Sequence, residues 1–224
     1  MSALAPAFGV LAGVVSIADT VPYIRDIVRG TTRPHRGTWL IWAALAVVAC
    51  ASQHADGASW SLVMAATQAL LTAAVFVLAV RRGEGGLGRT DLVMLALAAA
   101  GVTGWLATDH PLVATSCVIW ADLVAAAMMV PKTYRDPDSE TLSSFALAST
   151  AGALAALSVG APDAALLLYP VYFCVVNGAI ALLIRWRRAV GSPDYAAAVA
   201  TSSGLDVPAA SGLVSDRVAA SISA

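Results

Sequence analysis

The sequence predicts an all-α membrane protein of seven transmembrane helices, and three observations predict it. Of 224 residues, 59% are hydrophobic and only 12% charged. That is too little charge to cover a water-soluble surface, so the apolar excess has to face lipid. Seven apolar stretches approach the ~20 residues needed to cross the hydrocarbon. All 13 Lys and Arg fall in alternate breaks between these stretches or after the last one, as expected of a chain that keeps its basic loops on one side.

Taken in order, the first stretch covers about 6–28. The residues before it, Met1 to Ala5, carry no basic side chain, so it reads as a retained helix and not as a cleaved leader. The break that follows holds Arg25, Arg29, Arg33 and Arg36. The second and third stretches, 38–54 and 59–80, are joined through His54 to Gly57. Arg81, Arg82 and Arg89 mark the next break, before the fourth stretch at 91–108. Asp109 to Pro111 leads to the fifth, 112–131, and Lys132 to Glu140 leads to the sixth, 142–160. Gly160 to Asp163 precedes the seventh, 164–186, which ends among Arg185, Arg187 and Arg188. Residues 1–188 are thus the membrane domain. Residues 189–224, rich in Ala, Ser and Gly, are expected to form a mostly disordered tail. The other breaks offer only Asp56, Asp109, Asp163 and two histidines, so the N-terminus is expected outside and the C-terminus in the cytoplasm of a multi-pass cell-membrane protein.

Several chemistries find no support. A net charge of −1 suggests no nucleic-acid partner. Cys50, Cys117 and Cys174 lie inside apolar runs and read as small packing residues. No phosphate-binding glycine loop, HExxH or Cys/His cluster occurs, so neither a cofactor nor a metal is expected. Asp136, Asp138 and Glu140, close to Arg135, read as a solvated charged loop in preference to a Mg²⁺ site. The Asp-rich DDxxD and DxDD elements of soluble terpene enzymes are also missing.

The chain repeats itself. A gapless shift of 106 residues lays Thr38-Trp39 on Ser144-Phe145 and Arg81-Arg82 on Arg187-Arg188. Repeat one (about 6–80) then matches repeat two (about 112–186), with 91–108 as a linker helix. The two halves run in the same direction, a parallel repeat in a 3+1+3 order. The stretches Val21-Pro22-Tyr23-Ile24-Arg25-Asp26, Thr32-Arg33-Pro34 and Thr38-Trp39-Leu40-Ile41-Trp42 resemble the PQ-loop and SWEET superfamily, and the loop from Lys132 to Phe145 resembles its second copy. The resemblance spans about 1–188 and implies a transporter-like fold with a proline kink in the first helix of each half. One departure stands out: Pro22 falls on Met128, and the nearest proline, Pro131, comes almost a turn later.

Two acids, Asp19 and Asp122, lie deep inside their stretches, with no Lys, Arg or His at similar depth. An ionised carboxylate there is strongly disfavoured, so the neutral acid, a proton donor, is expected. Their repeat positions are Ala125 and Ser16, so a site using both acids is asymmetric. Asp19 shares a helix face with Ser16 and Tyr23, and Trp39 shares one with Trp42. Gln68, Tyr169, Tyr172 and Asn177 complete the candidates with Trp120, although Trp120 is two residues from Asp122 and points elsewhere on its helix. Trp39, Trp60, Trp105 and Trp186 also suit an interfacial aromatic belt.

Two functions fit these residues. In size, helix count and intramembrane acids the chain is similar to the small membrane-bound terpene cyclases of meroterpenoid and indole-sesquiterpenoid pathways. On that likeness Asp122 or Asp19 protonates a lipophilic, farnesyl-bearing substrate, and Tyr23, Trp39, Trp42, Trp120, Tyr169 and Tyr172 line the pocket and stabilise the cation. The superfamily resemblance instead implies a transporter of a small polar solute, bound by Gln68 and Asn177. In both cases the bilayer is a partner.

Overall fold

In the computed structural model the chain is all-helical. The structure describes residues 4–55, 60–85, 88–108, 111–159 and 164–191, and no named strand occurs among them. The helices are α1 (Ala5–Ala18), α2 (Thr20–Arg29), α3 (Arg36–Ala55), α4 (Trp60–Arg82), α5 (Arg89–Leu106), α6 (Pro111–Arg135), α7 (Leu142–Ser158) and α8 (Ala164–Val190), with a 3₁₀ turn at Pro137–Ser139. α1 and α2 are one apolar stretch interrupted at Asp19, so the described helices number the predicted seven.

Among the described residues, Ala5–Arg29, Arg89–Leu106, Thr115–Arg135 and Leu166–Val190 are long and apolar enough to cross a membrane, and Arg36–Ala49 and Leu142–Ser158 are shorter apolar helices. Their outward faces stay apolar: Val10 is 70% exposed, Val93 58% and Leu182 68%. The ends differ from expectation in two places. α6 runs through Pro131 to Arg135 instead of stopping at the proline. α8 continues to Val190, past the predicted start of the tail, and the rest of the tail lies outside the described residues. Asp56, Asp109 and Asp163 lie outside them too.

The interruption at Asp19 has a local cause. Pro22 has no N–H to give the carbonyl four residues earlier, that of Ala18, where α1 ends. The backbone stays near helical at Asp19 (φ −64°, ψ −32°), so the direction is broadly kept. α2 ends at Gly30, whose φ of 79° suits glycine and lets its N–H turn back to Asp26 O and Ile27 O.

α1 packs on α7, α3 on α4 and α5 on α6, and α3 also meets α6. Lipid offers no hydrophobic drive for these contacts, so close approach of small residues has to supply the attraction. A Cβ on Gly152 of α7 would stand 2.6 Å from the backbone nitrogen of Cys174 on α8. Gly101 and Gly104 of α5 are seated on Cys117 of α6 in the same way. Cys117 and Cys174 are free thiols at these contacts, as packing residues should be. A larger buried cluster around Tyr23, Ile27, Trp39, Met129, Phe145 and Ile184 draws together α2, α3, α6, α7 and α8.

Residues 1–185 form one unit; a second begins at Trp186, where the Arg187 guanidinium lies 5.7 Å over the Trp186 ring. The glycine contacts generate a direct expectation: Gly152→Val forces α7 away from α8. A loss of about 1–3 kcal/mol should appear as a lower melting temperature in detergent, whereas an unchanged melt would contradict the contact.

Candidate functional site

A cavity of about 470 Å³ lies among helices α2 to α8, and both buried acids line it. That volume suits a drug-sized ligand. Asp19 reaches it from the interruption between α1 and α2, where its carboxylate oxygen accepts a hydrogen bond from Thr20 Oγ1 at 2.9 Å. Asp122 reaches it from α6. It is 9% exposed, and its Oδ2 accepts a 2.5 Å hydrogen bond from the Tyr172 hydroxyl of α8. The buried Trp42 indole N–H lies on the Asp122 side of the cavity yet makes no hydrogen bond of good geometry.

The aromatic lining is built by contact. Trp39 and Trp42, one turn apart on α3, meet edge to face at 5.1 Å. Tyr23 lies 4.8 Å from Trp39 and meets Phe145 edge-on at 6.1 Å. Tyr169 and Phe173 stack at 5.9 Å on the α8 wall. Gln68, Thr72 and Asn177 add polar atoms, although Asn177 already donates to Phe173 O at 2.9 Å. Ser144 Oγ is buried on the same wall without a partner. A buried polar group left unpaired costs about 1–3 kcal/mol, so Ser144 and Trp42 are poised for a ligand carrying acceptor atoms.

Below Tyr23 the cavity is closed. Trp39 Nε1 donates to Tyr23 Oη at 3.1 Å, and Tyr23 in turn donates to Glu140 Oε2 at 2.8 Å. Lys132 Nζ donates to Glu140 Oε1 at 2.6 Å. This corrects the expectation of a solvated acidic loop for Glu140 alone: the residue is 1% exposed, because a tyrosine and a lysine from two helices take both its oxygens, while Asp138 is exposed and Asp136 partly so. Burial pushes its carboxyl above the ordinary glutamate range, and the Lys132 ammonium pulls it part of the way back. Around this core Lys132 and Arg33 both pair with Glu84 at 3.6 Å, Arg33 also pairs with Asp136, and Arg36 donates to Gly85 O at 2.6 Å. Asp136, Asp138 and Glu140 form no metal-ligand group, and none of three or more His, Cys, Asp or Glu occurs among the described residues.

His35 belongs to the same end of the bundle. It is 7% exposed, and its Nδ1 accepts from the Thr38 N–H at 3.3 Å, which requires the unprotonated nitrogen. Burial holds its pKa below 6.5.

Of the residues expected at the site, Asp19, Asp122, Tyr23, Trp39, Trp42, Gln68, Tyr169 and Asn177 meet in one cavity. Two do not line it. Trp120 is half-exposed on the α5 side of α6 and donates to Leu97 O at 3.1 Å, because two residues turn a helix by more than half a revolution from Asp122. Tyr172 sends only its hydroxyl towards the site, and its side chain lines a groove on the outer surface. The aromatic-belt expectation fails for Trp39, which is 8% exposed and bonded to Tyr23, while Trp105, at the end of α5, lines the cavity. The Trp60 side chain lies outside the described residues. Reading the sequence missed Thr72, Ser144 and Phe145 as wall residues; the repeat pointed to the last two as counterparts of Thr38 and Trp39. The chain matches no protein-family profile, no curated protein and no solved structure.

Removing one partner of the buried Lys132–Glu140 pair strands a charge. Lys132→Met should therefore cost about 3–5 kcal/mol, and adding Glu140→Gln should recover part of it. Melting of the single and double variants in detergent checks this order; a double variant less stable than the single would contradict it. For His35 the unfolded chain binds the proton more readily than the folded protein. Stability is therefore full above about pH 6.5 and falls as the pH drops through the lower folded value. A melting profile from pH 7.5 to 5 should decline, and the His35-dependent part of that decline should vanish in His35→Asn.

Proposed function

We propose that the chain is an integral membrane terpene cyclase, which initiates ring closure of a farnesyl-bearing lipophilic substrate by protonation. The observation that carries this reading is that Asp19 and Asp122, on different helices, line one cavity with Tyr23, Trp39, Trp42 and Phe145. An acid away from water is suited to give a proton to an alkene, and aromatic faces suit a migrating cation. Asp122 is the proposed general acid. The Tyr172 hydroxyl holds one of its oxygens in place. The proton adds to the CH carbon of the terminal double bond, leaving a tertiary cation on its dimethyl-bearing carbon, and internal double bonds attack that cation in turn to form carbon–carbon bonds. Loss of a proton from the last cation back to the Asp122 carboxylate ends the sequence and restores the acid, so product and substrate are isomers, while Asp19 lines the same cavity. The mostly hydrocarbon wall keeps water from capturing the cation.

The proposed setting is a seven-span bundle with its basic end in the cytoplasm and its N-terminus outside. Support for a 3+1+3 repeat comes from the pairings. α1 on α7 and α3 on α6 are the two contacts that a twofold relation between the halves would exchange. Thr38 Oγ1 donates to Ala125 O at 2.7 Å. The equivalent acceptor for Ser144 would be the carbonyl of Asp19, and Ser144 is the hydroxyl left without a partner.

A second reading, transport of a small polar solute, draws on the closed floor: the Tyr23–Glu140–Lys132 chain is the kind of lock an alternating-access protein breaks. Washed membranes incubated with a farnesylated aromatic compound separate the two. The cyclase reading expects a cyclic product whose formation drops by about 100-fold or more in Asp122→Asn. Equal product from both proteins would remove Asp122 as the acid. Absence of any cyclic product, with solute uptake into proteoliposomes that Asn177→Ala abolishes, would favour transport.

A further inference from the structure

A second concavity bears on how a hydrocarbon substrate reaches the acids. On the outer surface between α6 and α8 lies a groove of about 620 Å³, lined by Leu123, Leu168, Val171, Val175 and Ala179 and, towards the interior, by Tyr172 and Val176. Its wall is aliphatic except for Tyr172. Val176 also lines the acid cavity, so one side chain touches both spaces. Tyr172 bridges them as well: its side chain lines the groove while its hydroxyl donates to Asp122 in the cavity at 2.5 Å. Leu123, Val171 and Val175 are 44%, 48% and 64% exposed, so the groove is open on its outer side.

We propose that this groove is a lateral portal, through which the isoprenoid chain of a bilayer-dissolved substrate passes into the acid cavity, with Tyr172 and Val176 as its gate. The proposal rests on the cyclase reading for its substrate and on the proposed placement of the helices in a bilayer for its route. Its occupant follows from depth. Leu166–Val190 is long enough to cross a membrane. At ~1.5 Å per residue Val176 lies about 15 Å along it from Leu166, near the middle of the hydrocarbon. Water-borne solutes are scarce there, and an aliphatic wall offers them no hydrogen bonds. A branched hydrocarbon chain is both present in that layer and matched to the wall. When Tyr172 swings outward it uncovers Asp122 as it opens the path, so admission of the chain and exposure of the acid are one motion.

The test uses the full chain in lipid nanodiscs with farnesol bearing a photoactivatable diazirine, and the modified residues are mapped by mass spectrometry. Labels are expected both on the groove, at Leu168 or Val175, and in the cavity, at Trp42 or Phe173. Val176→Phe should lower the cavity labels by about tenfold while labels on the far lipid face, at Val10 or Val14, stay constant. Ala179→Phe adds its ring on the lipid side of the groove, away from the buried packing, and should act in the same direction if Val176→Phe fails to fold. Phosphatidylcholine with the diazirine in an acyl chain should label the groove and not the cavity. Cavity labelling that persists in both variants, or that is missing from the wild type, would overturn the portal. Equal cavity labelling by the phospholipid would overturn the isoprenoid as its occupant. The cyclase reading is judged separately, by product formation from substrate delivered in detergent. Portal labelling without product would sink cyclisation alone, and product with unchanged labelling in both variants would sink the portal alone.

Discussion

A polar group carried into the apolar middle of this bundle has no water to turn to, so it has to find its partner on another helix or wait for a ligand. The constraint orders the whole structure. Asp122 takes the Tyr172 hydroxyl from α8, Thr38 takes the Ala125 carbonyl from α6, and Glu140 takes both Tyr23 and Lys132. The first two bonds each tie two helices that lipid alone would not hold together, and Glu140, in the loop before α7, joins α2 to α6. Among the described residues the accounting fails at Trp42 Nε1 and Ser144 Oγ, and both orphan atoms are on the wall of the acid cavity. A packed core would have buried apolar groups at those positions; a binding site keeps the polar ones.

The two ends of the cavity differ in chemistry. At the basic end the aromatic wall of Tyr23 and Trp39 passes directly into the Glu140–Lys132 pair and then into the Arg33 and Glu84 contacts, so closure is ionic and buried. Towards α6 and α8 the wall thins to Val176 and a tyrosine whose hydroxyl is committed to the acid. A protein proposed to guard a carbocation needs the first kind of wall against water. It tolerates the second kind only towards hydrocarbon.

Much of the fold was legible because apolar length and basic residues are strong signals in a chain like this one. The apolar stretches became helices with ends shifted by a few residues, and Pro22 foretold the interruption at Asp19. Most of the site was legible for a related reason: a deep carboxyl is rare enough to mark itself, and helical spacing carried Tyr23, Trp39 and Trp42 with it. What escaped depended on rotation and on long-range pairing. Trp120 was close to Asp122 in sequence but on the wrong side of α6. Glu140 sat in an acidic, loop-like segment, and no local pattern said that Tyr23, 117 positions away, would bury it. Ser144 was visible only as the shadow of Thr38 in the repeat, and the bond that Thr38 makes is the one it lacks.

The central claim is that a neutral acid in this cavity starts the chemistry by giving up a proton to carbon. Its most direct measurement is the isotopic content of the product when a farnesylated aromatic compound with an intact terminal alkene is turned over in D₂O. The account predicts an isomer of the substrate carrying a single non-exchangeable deuterium on the former CH carbon of the terminal double bond. A cyclic product without that deuterium would contradict it.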